Sequence, residues 1–81
     1  MKSKEKLSEI QIDELNKVGD KLRKLRIAKG YTNYENFAFD NELNRANYGR
    51  YEKGANIRLS TLIVILKCHN LTLEEFFRLD L

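Results

Sequence analysis

The chain has 81 residues, 42% of them apolar and 33% charged, with a formal net charge of +3, one cysteine, one histidine and no proline. That length bounds it to one domain and limits the core it can bury, so a partner or a second copy is expected. No apolar run is long enough to span a membrane, and Met1-Lys2-Ser3-Lys4-Glu5-Lys6 lacks the apolar stretch of a secretory leader. Cys68 has no second cysteine to pair with, which fits a reducing compartment, and a cytoplasmic protein is expected. The charge is unevenly spread. Residues 19–58 carry nine basic and five acidic side chains, whereas the flanking stretches are close to balance. A polyanion would dock in that middle region, although solvated lysines and arginines on a helical surface account for the charge equally well.

Caps and apolar spacing give five helices, and the missing proline favours them. Ser8-Glu9-Ile10-Gln11 reads as a capping box, in which the hydroxyl accepts a free N–H and Gln11 reaches back. Leu15, Val18, Leu22 and Leu25 then recur at helical spacing, and Gly30 ends the element in a left-handed conformation. Residues 1–17 form an N-terminal extension, helical from about Ser8, that is either a separate turn or a continuation of this first helix.

Thr32-Asn33-Tyr34-Glu35 reads as a second capping box, opening a short helix over 32–39 with Phe37 and Ala38 facing inward. The polar stretch Asp40-Asn41-Glu42 breaks it. Asn44 caps a third helix that runs to about Glu52, where Lys53-Gly54 closes it. The fourth helix holds Leu59, Leu62, Ile63, Ile65 and Leu66 and is expected to be the most buried element. His69-Asn70 ends it, with Asn70 suited to a left-handed cap. Thr72-Leu73-Glu74-Glu75 is a third capping box, leading into Phe76, Phe77 and Leu79.

Catalytic chemistry finds little support in these residues. Cys68 and His69 are adjacent, and consecutive helical positions point about 100° apart, which suits no nucleophile–base pair. A structural zinc wants roughly four nitrogen or sulfur ligands. No glycine-rich phosphate loop exists, so no cofactor and no metal is expected and the chain reads as a non-enzyme. Cys68 reads as a small core residue and His69 as a polar residue at a helix end.

The third helix carries different chemistry. On a wheel of about 100° per residue, Asn44, Tyr48 and Tyr51 cluster on one side, to pack against the domain. Ala46, Gly49 and Arg50 fall opposite, flanked by Arg45 and Asn47. Glycine inside a helix costs about 1 kcal/mol relative to alanine, so Gly49 needs a reason. Two small residues on an outward face would let the backbone sink close to a surface, with arginines beside them as bidentate donors to guanine. The competing reading has Gly49 relieving a clash inside the domain and the arginines merely solvated.

From Val18 to Phe77 these residues resemble the phage repressor and Cro-type helix-turn-helix family, also called the xenobiotic-response-element type. The likeness lies in Val18-Gly19-Asp20-Lys21-Leu22-Arg23-Lys24-Leu25-Arg26 through Gly30, in Thr32 to Ala38, in Tyr48-Gly49-Arg50-Tyr51-Glu52-Lys53-Gly54, and in Leu71-Thr72-Leu73-Glu74-Glu75-Phe76-Phe77. The resemblance implies an all-α, compact five-helix domain of the lambda-repressor-like type over residues 18–81, containing a helix-turn-helix. It implies a cytoplasmic, repressor-like transcriptional regulator that binds double-stranded DNA as a homodimer. It places the DNA-backbone contact of the second helix on Asn33 or its neighbour Tyr34, because that helix holds one residue more than the family pattern. It puts Asn44, Arg45, Ala46 and Arg50 on recognition positions, with Asn47 and Gly49 beside them, and Lys53 at a phosphate. Glu52 matches a family glutamate that is structural. The chain departs from the pattern in having Asp40-Asn41-Glu42 where the family turn has glycine, and Ile57 where a proline is usual. The alternative is an antitoxin or other protein–protein module, for which the apolar residues Leu71, Leu73, Phe76, Phe77, Leu79 and Leu81 would meet a toxin partner; for Leu71 and Phe76 core is the better assignment.

Overall fold

The computed structural model describes residues 6–81 and folds them into five α-helices with no strand among them. In chain order these are α1 (Glu9–Ala28), α2 (Tyr34–Asp40), α3 (Arg45–Glu52), α4 (Leu59–Lys67) and α5 (Leu73–Arg78). Two of the three expected capping boxes form. The Ser8 hydroxyl accepts from the Gln11 N–H while the Gln11 side chain accepts from the Ser8 N–H, and Thr72 and Glu75 repeat the exchange. Gly30 and Asn70 take left-handed φ values of 100° and 58°, ending α1 and α4 where expected. The first helix runs unbroken through position 18.

The box at Thr32 does not form. Asn33 is the cap of α2, its Oδ1 accepting from the Asn36 N–H at 2.8 Å. Both Thr32 and Asn33 are cap-forming residue types, and the spacing to Glu35 singled out the wrong one. With Asn33 as cap, the third helical position is Asn36, and the reciprocal half of the box is missing.

Eight side chains form the core: Leu22, Phe37, Ala38, Tyr48, Leu62, Ile65, Leu66 and Phe76, each at most 3% exposed. Phe37 is its hub. Its ring packs edge-on to Tyr31 at 5.3 Å, against Tyr48 at 5.1 Å and flat on His69 at 5.2 Å. The fourth helix contributes three core residues, more than any other helix, as expected, but its outer face is open. Leu59, Ile63 and Val64 are 58%, 41% and 56% exposed. Among the described residues, packing covers only the face of Leu62, Ile65 and Leu66.

Helix α1 meets α3 backbone to backbone. A Cβ added at Gly19 would lie 2.6 Å from the Tyr51 carbonyl oxygen and 2.7 Å from that of Glu52, so only glycine fits. About two turns further along α1, Arg26 reaches across to Glu52. Its Nε donates to Oε2 at 2.8 Å, its Nη2 to Oε1 at 3.0 Å and its Nη1 to the Tyr31 carbonyl at 2.9 Å. Both side chains of this pair are 7% exposed. The apolar stripe of Leu15, Val18, Leu22 and Leu25 therefore has a buried arginine beside it, with Leu15, Val18 and Leu25 only half-buried.

Candidate nucleic-acid interface

Helices α2 and α3 are joined by a turn that holds them at a fixed angle without glycine. Glu42 takes the left-handed conformation, with φ at 59°, and the Leu43 N–H donates back to the Ala38 carbonyl at 2.8 Å. The Asn41 Nδ2 donates to the Phe37 carbonyl at 2.8 Å, which ties the turn to the core hub. Asn44 then caps α3, its Oδ1 accepting from the Asn47 N–H at 2.8 Å.

Packing divides α3 into a fixed side and a free one. Tyr48 is buried, Tyr51 is half-buried, and the buried Glu52 carboxylate is locked to Arg26. Asn44, Arg45, Ala46, Asn47, Arg50 and Lys53 are all exposed. The Arg50 Nη1 donates to the Asn47 Oδ1 at 3.1 Å, which holds the guanidinium along the outer face of the helix. Asn33, the cap of α2, is exposed as well. Capping uses its Oδ1 acceptor and leaves its amide hydrogens, the donors a phosphate would take, without a partner among the described residues.

Gly49 is not on the free side. It is buried, and a Cβ there would meet the Tyr34 ring at 2.5 Å from Cε1 and 2.7 Å from Cζ. On the wheel Gly49 lies about 100° from both Tyr48 and Arg50. That flank is where α2 lays the half-buried ring of Tyr34. The glycine therefore lets α2 approach α3, and of the two small residues only Ala46 faces outward. Tyr34, Glu35, Asn44, Arg45 and Ala46 line an open cleft between the N-terminal turns of α2 and α3.

Electrostatics separate the frame from the surface. The hydrogen bond to Glu52 raises the Arg26 pKa against the opposing effect of burial, so the guanidinium stays charged. The Tyr48 hydroxyl is buried with no partner at hydrogen-bonding geometry, and its ionisation is pushed far up, first by burial and then by the Glu52 carboxylate. Neither group is free to contact a ligand. The exposed pairs Glu14–Lys17, Asp20–Lys24 and Glu74–Arg78 lie in water and contribute little to stability.

Cys68 and His69 serve packing. The thiol donates to the Val64 carbonyl at 3.7 Å, and burial pushes its pKa up, which keeps it in the inert neutral form. The His69 ring stacks on Phe37 with its planes 12° apart. Among the described residues no helix is long and apolar enough to cross a membrane, and no group of three or more His, Cys, Asp or Glu side chains is placed to hold a metal ion. Sequence reasoning missed Gly19 and Arg26 as determinants of the site's frame. A glycine inside a long helix was the available signal for the first. No family model, no curated protein and no solved structure matches the chain.

Proposed function

We propose that this chain is a sequence-specific DNA-binding transcriptional regulator whose α2–turn–α3 unit is a helix-turn-helix in a lambda-repressor-like arrangement. One observation carries the reading. The single unpacked side of α3 bears Arg45, Asn47 and Arg50 around the small residue Ala46, while the opposite side is pinned by a buried ion pair and a buried tyrosine. At eight residues α3 is about 12 Å long, comparable to the width of the B-DNA major groove.

In this reading Arg45 and Arg50 take base edges, as guanidinium groups pair bidentately with guanine. Asn47 orients Arg50. Asn33 and Lys53 contact phosphates on either side of the groove and set the register without reading sequence. A homodimer on DNA would read two half-sites about one helical turn apart.

Selection of bound duplexes from a random pool, followed by titration against salt, tests this. Binding should enrich a two-fold-symmetric sequence, and each neutralised phosphate should steepen the log–log salt slope by about 0.9. A flat salt response or an unenriched pool overturns the reading. A second reading has one observation in its favour. Leu59, Ile63 and Val64 on α4 and Phe77 beyond α5's core face are exposed apolar side chains of the kind a protein partner covers. An antitoxin or other protein-binding module would show a stoichiometric co-purifying partner.

A further inference from the structure

The open cleft between the N-terminal turns of α2 and α3 has a composition that the two arginines do not explain. Glu35 and Arg45 both line it, so its charge is balanced and it offers no special attraction to a phosphate. Tyr34 and Ala46 are the two residues without a formal charge or amide among those lining it, and they can supply an aromatic ring and a methyl group. Ala46 is exposed on the free side of α3, where the other residues are polar or charged. The ring is brought beside it by Gly49, one turn along, whose missing Cβ leaves room for Tyr34 against the helix. The site thus spends a helix-weakening glycine to set an aromatic wall next to a methyl group on its reading surface.

The major groove presents one apolar group, the C5 methyl of thymine. The geometry points to the Tyr34–Ala46 cleft as a thymine-methyl subsite, so that one base pair in each half-site is selected for thymine by apolar contact. This rests on the DNA-binding reading and adds to it a specificity determinant that makes no hydrogen bond.

The experiment replaces each thymine of the selected duplex, one at a time, by deoxyuridine, which lacks only the methyl group. At one thymine per half-site the affinity of the full chain should fall about fourfold, the effect of one methyl group returned to water. Ala46→Gly and Ala46→Ser should bring that thymine-to-deoxyuridine ratio to about one, while ratios at other thymines stay as they were. Because each ratio compares two duplexes on the same protein, a general loss of helix stability in either variant cancels. If no thymine responds, or if the ratio survives in both variants while duplex selection and salt dependence persist, the subsite is overturned and the DNA reading stands. If no duplex is enriched at all, both fall together.

Discussion

Arg50 and Lys53 are both exposed cations near the end of α3, yet under the proposed DNA reading their surroundings suit them to different work. The guanidinium of Arg50 is steered by Asn47 along the outer helix face, whereas Lys53 is the residue beyond the last turn. Arg50→Ala should cost about 1–3 kcal/mol in binding and relax preference at one base pair of each half-site. Lys53→Ala should weaken all duplexes alike and lower the salt slope by about one unit. Competition titrations against the selected duplex and a scrambled one separate the two outcomes; an unchanged selected sequence in Arg50→Ala removes it as a reader. Gly49 belongs to a different calculation. From the wheel alone, leucine at Gly49 would hold the helix off DNA and leave the fold intact. The Tyr34 ring at 2.5 Å from an added Cβ makes it a folding variant instead. Gly49→Leu should destabilise the domain by about 1–3 kcal/mol, the usual cost of overpacking. Tyr34→Ala in the same chain should recover part of that loss, because the obstructing ring is gone and leucine favours the helix. Urea denaturation of the two single variants and the double variant gives the coupling, and strict additivity would show that the ring is not the obstacle.

At the scale of elements, the α1–α3 contact sets the pose of α3. Gly19 admits the last carbonyls of α3, and Arg26 binds Glu52 with two hydrogen bonds in a largely buried site. Removing one member of such a pair leaves the other charge buried and unpaired. Arg26→Met alone should cost about 3–5 kcal/mol, whereas Arg26→Met with Glu52→Leu should return to within about 1 kcal/mol of the parent. Equal losses in the single and double variants, measured by urea denaturation, would show that the pair's charges are not what the site depends on. These elements also show where the sequence was legible. The helix ends at Ser8, Gly30, Asn44, Asn70 and Thr72 were readable because caps and left-handed residues act within four positions of themselves. Asn33 displaced Thr32 because two adjacent residues competed for one role that spacing alone does not assign. The face of Arg45, Ala46, Asn47 and Arg50 was readable from one helix's own periodicity. Gly49 was misplaced because its environment is made by α2, and a wheel contains no neighbour. The partnership of Arg26 with Glu52 spans 26 positions and left no local mark, although the family resemblance pointed to a structural role for Glu52. The turn works without glycine because Glu42 itself takes the left-handed conformation, which costs a non-glycine residue about 1–2 kcal/mol.

The molecule as a whole is joined at Phe37, where α2, α3, the end of α1 and the end of α4 meet, and this makes its stability sensitive to acid. His69 is the one histidine of the chain, and its ring lies flat on Phe37 at 5.2 Å. Its Nε2 is buried with no hydrogen-bond partner. Protonation would put a positive charge on a half-buried ring whose Nε2 has no partner, so burial first and the positive charge of Lys29 second hold its pKa below the ordinary 6.5. The unfolded chain has no such restraint and takes up its proton near 6.5. Above that value both states are neutral at His69 and the group leaves stability unchanged. As the pH falls below it the unfolded state binds more protons than the folded one, so the equilibrium shifts towards unfolding until the folded histidine also titrates. The slope in that window is a fraction of one proton, so it stays below about 1.4 kcal/mol per pH unit. Denaturant midpoints recorded from pH 8 to pH 5 should therefore be level at first and then decline below about 6.5. His69→Phe, which keeps an aromatic ring on Phe37 without a titratable nitrogen, should remove the part of the decline that begins there. The imidazole proton resonances of the folded protein should shift with a midpoint below that of the unfolded chain. A folded-state midpoint at or above 6.5, or a pH profile identical in His69→Phe, would mean that the buried ring is not the source of the acid sensitivity.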